Sequence, residues 1–237
     1  MPEPELTTHP AALIDQALNR LATPGTSPAL LTLRRLGPLP VESLTCHVLQ
    51  TDLDAVLVRM QKDGLVHERA AGLWTLSSGG HAATGVHRQL AAWHQRAFPS
   101  ASTRPFTAHL NDALERLTRP GATRIIQQLA QHEQMPYTRL VEDTGLDAET
   151  ASSQLRGLHR ARLIDRTHRY GSVIALAPAG RTLGSAYDAL ATWQRAYPYP
   201  MEAAGHRHRV PPRLAPMPSR PPAPPAPAPA QPPRPRR

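Results

Sequence analysis

Ser152, Ser153, Arg156 and Arg160 are spaced so that an α-helix would gather them on one side, with Glu149 at the edge. Ala151, Leu155 and Leu158 would take the opposite side and point into a core. Hydroxyls donate to base edges and guanidinium groups pair with phosphates, so this face has the chemistry of nucleic-acid contact. The same pattern also fits an ordinary solvated surface, because any surface helix needs a polar side. Thr138 and Arg139, with Tyr137 beside them, precede the helix and are placed to hold a phosphate backbone. Arg166, His168 and Arg169 follow it. In the first half of the chain, Lys62 and Arg69 are the comparable cations.

Other chemistry is sparse. There is no glycine-rich phosphate loop, nucleophile elbow or paired-carboxylate motif, so no enzyme and no cofactor are expected. His206 and His208 flank Arg207, and His87 and His94 stand two helical turns apart. Neither pair is joined by thiolates or carboxylates at ligand spacing, so no metal is expected. Cys46 is the only cysteine, which excludes an intrachain disulfide and leaves either a small packing residue or a lone reactive thiol.

The elements that must position these residues occur twice. ALNRLATPG at 17–25 returns as ALERLTRPG at 113–121, and LAAWHQRAFP at 90–99 returns as LATWQRAYP at 190–198. Between these anchors Leu30 and Leu33 match Ile126 and Leu129, Pro40 and Leu44 match Pro136 and Leu140, and Leu57 and Met60 match Leu155 and Leu158. One unit of roughly 90 residues has been duplicated.

Each unit reads as the same series of elements. Ile14, Ala17, Leu18 and Leu21, or Leu110, Ala113, Leu114 and Leu117, line one face of a first helix that Pro-Gly then stops. A second helix is expected over Ala29 to Leu36, or Thr123 to His132. Two short helices joined by a turn follow: Val41 to Leu49 with Asp52 to Lys62, and Tyr137 to Asp143 with Ala148 to Arg160, the last opened by Asp147 as N-cap. GLVHERAAGLWTLSSGG and RLIDRTHRYGSVIALAPAG then give two short strands around a polar loop, followed by a long helix. The expected fold is therefore mainly α with small β-wings: two tandem winged helix-turn-helix domains at 10–100 and 105–199.

The order of elements, with Leu76, Ser77, Gly80, Leu90 and Trp93 and then Leu176, Ala177, Gly180, Leu183, Leu190 and Trp193, resembles the HxlR-type branch of the MarR-like bacterial regulators. In that branch the wing closes in an LTxxGxxL pattern and the next helix ends in Leu-x-x-Trp. The resemblance covers nearly all of 11–198 and implies a DNA-binding regulator. Such proteins usually carry one domain per chain and work as homodimers, so two in tandem imply a covalent pseudo-dimer. Some relatives sense oxidants through one thiol, which is what the resemblance implies for Cys46.

Ala83, Val86, Leu90, Trp93 and Ala97, and Leu183, Ala186, Leu190, Trp193 and Tyr197, step by threes and fours along the closing helices. So narrow a seam asks for another helix, within the chain or in a second copy, although it would also serve to cover the helix's own domain. The two copies differ where they would meet DNA. With Leu53, Leu57 and Met60 facing inward, the first copy presents Asp52, Asp54, Ala55, Val58 and Lys62, a face whose acids repel phosphate.

The net charge of +9 belongs to the end of the chain. Residues 203–237 hold seven arginines and no acid, leaving 20 Lys and Arg against 18 Asp and Glu in residues 1–202, or about +2. This Pro/Arg-rich segment has too little apolar bulk to fold and is expected to be a disordered, polyproline-biased tail. Neither a signal peptide nor an apolar run of about 18 residues is present, so a cytoplasmic protein without membrane contact is expected. Two function classes fit: a regulator of double-stranded DNA, its effector unspecified by the sequence, and a protein-binding adaptor using degenerate winged helices and a proline-rich tail.

Overall fold

The computed structural model describes residues 6, 9–48, 52–69, 72–101, 103–166 and 173–199. His168, Arg169 and the tail at 203–237 lie outside them. The first copy runs α1 (Ala11–Ala22), α2 (Thr26–Leu36), β1 (Leu39–Pro40), α3 (Val41–Thr45), α4 (Leu53–Lys62), β2 (Val66–Arg69), β3 (Leu73–Leu76) and α5 (Ser78–Ala97). After a 3-10 turn at Pro99–Ala101 the order repeats as α6 (Phe106–Leu117), α7 (Ala122–His132), β4 (Gln134–Pro136), α8 (Tyr137–Thr144), α9 (Ala148–Arg160), β5 (Ile164–Arg166), β6 (Val173–Leu176), α10 (Pro178–Arg181) and α11 (Gly184–Ala196). The protein is mainly helical, with two small antiparallel sheets ordered β1-β3-β2 and β4-β6-β5. No helix among the described residues is long and apolar enough to cross a membrane.

Three details depart from the expected elements. Each hairpin gains a third strand, β1 or β4, from the residues just before the short helix, pairing Leu39 with Trp74 and Met135 with Ile174. α3 stops at Thr45, so Cys46 lies beyond it and is exposed rather than packed. The long closing helix is continuous in the first copy but broken in the second, where Thr182 turns and its hydroxyl donates to the Ala179 carbonyl at 3.1 Å. Ser77 explains part of the difference: it caps α5 by accepting from the Gly80 amide at 3.0 Å, a bond that Ala177 cannot make.

The repeated glycines have a steric cause. A Cβ on Gly80 would stand 2.1 Å from the Leu65 carbonyl oxygen, and one on Gly180 would stand 2.2 Å from that of Leu163. Both carbonyls accept from the residue that precedes the closing helix, Ser77 and Ala177, at 3.0 Å. The start of each closing helix therefore lies hard against the start of its own hairpin, where only glycine fits.

The helices do not divide by copy. α1 packs on α11, α6 packs on α5, and α5 and α11 pack on each other. Trp93 donates its indole N–H to the Ala179 carbonyl at 3.1 Å, while Trp193 donates to the Gly79 carbonyl at 3.0 Å. Both tryptophans are buried, and the apolar side chains of both copies form one continuous cluster. The seam read from the sequence is thus occupied within one chain. Histidines lie inside this core: His87 faces Ser27 at 3.3 Å, and Nδ1 of His94 on α5 lies 3.0 Å from Nδ1 of His109 on α6.

Trp193→Phe keeps most of the ring but leaves the Gly79 carbonyl without its indole donor, and should cost about 1–3 kcal/mol in urea unfolding; Trp193→Ala should cost about 3–5 kcal/mol. Burial lowers the pKa of both His87 and His94 from 6.5 to about 4, so below pH 6.5 the unfolded chain takes up protons that the folded one refuses. Stability should fall as the pH drops from 6.5 to 5, by about 1 kcal/mol per pH unit for each histidine. His87→Asn should remove one histidine's share of that slope, as read from urea midpoints across the range.

Candidate nucleic-acid interface

The pair α8 and α9 is held rigidly. Gly145 turns the chain in the left-handed region at φ 62°, and its amide closes α8 on the Val141 and Glu142 carbonyls. Asp147 caps α9 by accepting from the Thr150 amide at 2.8 Å, and its hydrogen bonds to Thr150 hold its carboxyl below the usual value. Arg124 on α7 donates to the Thr144 carbonyl at the end of α8, at 2.8 Å. The Tyr137 hydroxyl donates to the Ala148 carbonyl at 2.8 Å. Tyr137 is therefore spent on joining the two helices, while Thr138 and Arg139 remain exposed at the start of α8.

On α9 the inner face is as expected, with Ala151, Leu155 and Leu158 buried. Glu149, Ser153, Arg156 and Arg160 form an exposed stripe, and Ser152 is half-buried beside it. No described residue bonds to the guanidinium groups of Arg156 or Arg160. Arg139 pairs with Asp143 one turn along α8, at 3.5 Å and well exposed, which is a weak tether. Arg166 is half-buried on β5, opposite Ile174. Ser153, Arg156 and Arg160 are thus brought together on one helix, with Thr138 and Arg139 on its neighbour.

In the first copy the equivalent face has other chemistry. Asp52 caps α4 by accepting from the Ala55 amide at 3.1 Å, and Asp54, Ala55, Val58, Arg59 and Lys62 are exposed. Val58 is 48% exposed in the middle of that face, at the position that Arg156 holds in the second copy. Lys62 and Arg69 are exposed at its far end and on β2. His87 and His94 are buried rather than displayed, and no group of three metal-ligating side chains occurs among the described residues.

Three arginines that the residue-type reading passed over join Arg124 in holding these helices. Arg20 on α1 is fully buried and donates to the Asp63 carbonyl at the end of α4, to Gln194 Oε1 at 2.7 Å and to the Tyr197 carbonyl at 2.5 Å. Its guanidinium lies over the Trp193 and Tyr199 rings, and burial lowers its pKa. Arg116, at the equivalent place on α6, donates to the Ala161 carbonyl at the end of α9 at 2.7 Å and lies 4.2 Å over the Phe98 ring. Arg119 packs against Gly157 of α9, and Arg160 shares a cavity of about 280 Å³ with Arg116, Arg119, Asp112 and Glu115. Arg162, exposed at φ 57°, follows α9 directly. The signal for the first two was the repeated anchor itself, in which Arg20 and Arg116 hold the same position.

Compared with models of known families and with curated proteins, the chain matches none.

Arg20→Lys keeps the charge but lacks the planar fork that reaches three acceptors at once. Buried carbonyls then lose their donor, and the variant should unfold about 1–3 kcal/mol more easily in urea.

Proposed function

We propose that this chain is a sequence-specific regulator of double-stranded DNA, built as a covalent pseudo-dimer of two winged helix-turn-helix modules in which the second copy reads. One observation carries the reading: Ser153, Arg156 and Arg160 stand exposed along α9, with no partner for either guanidinium among the described residues, on a helix whose other face is buried. Unspent guanidinium groups on a rigidly capped helix are suited to bases and phosphates. The resemblance to HxlR-type regulators supports the same reading. So does the pairing of the two closing helices, since a single chain supplies both sides of the seam.

The first copy serves as the dimerisation partner. Its acidic helix start and Val58 make α4 a poor reader, and Lys62 and Arg69 provide at most phosphate contact. The protein acts in the cytoplasm, and residues 203–237 with their seven arginines add affinity for any DNA without choosing a sequence.

Footprinting on the DNA upstream of the chain's own coding sequence supplies the site for a binding test. Arg156→Ala should weaken binding there by about 1–3 kcal/mol, roughly 5- to 150-fold, while Val58→Ala in the first copy changes it less than twofold. Equal affinity of both variants and the parent would remove α9 as the reader. An association with a protein instead, insensitive to salt, would favour the adaptor reading.

A further inference from the structure

The duplication gives each copy the same groove, and the two grooves are filled differently. In the second copy Gln127 on α7 donates to the carbonyls of Leu6 and His9, at 3.1 and 2.7 Å, and Leu6 is 8% exposed within the core. Leu6 and His9 are therefore held against α7. His9 is fixed further by Asp188 at 2.9 Å and Arg195 at 3.1 Å, both on α11.

The first copy cannot be covered in that way. The residues leading into α6 come straight from the 3-10 turn after α5, and Arg104 is tied back to Asp112. What remains is an open groove of about 690 Å³ between α2, the end of α3 and α6. Its position on the duplicated frame is the same, but its residues are not. Leu31 stands where the second copy has Gln127, Pro28 where it has Arg124, and Phe106 where it has Pro10.

Pro28, Leu31, Val48 and Phe106 make the walls apolar. Phe106 is 40% exposed, one of four large apolar side chains exposed among the described residues. Arg35 is the one lining residue that is always charged, and no described residue bonds to its guanidinium. The size is that of a small-molecule site, and an apolar cleft with a single free guanidinium complements an apolar body with one acidic head.

We infer that the first copy's groove binds one small apolar carboxylate per chain, its carboxylate on Arg35 and its hydrocarbon body against Leu31, Val48 and Phe106, while Leu6 closes the second copy's groove. The two copies thereby divide their tasks, with binding of a small molecule confined to the copy whose α4 is ill suited to DNA. This site stands whether or not α9 reads DNA.

The test uses the full chain with naphthalene-2-carboxylate and its uncharged counterpart naphthalene-2-methanol, followed by equilibrium dialysis. The expected result is saturable binding of one carboxylate per chain. Arg35→Gln should weaken the carboxylate by about tenfold or more and leave the alcohol unchanged, since it removes only the charged hydrogen bond. Leu31→Gln, which installs the second copy's residue in the wall, should weaken both. Arg35 is exposed and Leu31 half-buried on α2, and unchanged urea midpoints show that the fold is kept. Absence of saturable binding at millimolar ligand, two carboxylates per chain, or equal affinity of the parent and Arg35→Gln would each overturn the inference.

Discussion

Two indole N–H groups set the frame on which everything else rests. A buried indole needs an acceptor, and each tryptophan finds it on the first turn of the other copy's closing helix, at Ala179 for Trp93 and Gly79 for Trp193. Crossed bonds of this kind fix the register of α5 against α11 as well as their contact. The glycines at 80 and 180 then bind that register to the hairpins, because each closing helix starts flush against a strand. Arg20 and Arg116 extend it to the ends of α4 and α9. A displacement of the closing helices would therefore be felt at both outward-facing helices.

Below this frame the copies agree, and above it they diverge. Leu57 and Met60 occupy the buried positions of Leu155 and Leu158. On the outside, Val58 replaces the arginine chemistry of α9, and the groove beside α2 loses the glutamine that anchors the chain in the second copy. Even the shared arginine has adapted. Arg20 has Gln194 as its side-chain partner in the closing helix, whereas the corresponding residue, His94, turns to His109 and leaves Arg116 to stack on Phe98.

Much of this was legible because it repeats. The anchors at 17–25 and 113–121 gave the first helices, and apolar spacing gave the inner faces of α4 and α9. The third strands were not legible, since two or three residues beside a proline have no alternation to read. Nor was the break after α10, which depends on Thr182 folding back on its own helix. The seam announced that the closing helices wanted partners, but only three-dimensional packing could choose them. The first helices cross to the opposite copy, a choice no periodicity encodes. Of the proposed contact residues, those on α9 fall together because helical spacing alone places them, whereas Thr138 and Arg139 stand on the neighbouring α8, which the turn at Gly145 joins to α9.

The pairing of α1 with α11 also has a meaning in time. α1 is made well before α11, the helix that packs on it most; Arg20 and Gln194 are 174 residues apart. At ordinary rates of translation that interval is on the order of 10–35 s. Throughout it Ile14, Leu18 and Leu21 lack their final cover, and the loop to be closed spans nearly the whole fold, which slows folding relative to other helical proteins. During that interval α1 can pack on α2, α6 and α7 as each emerges, but its α11 face stays open, and the body closes only when α11 meets α1.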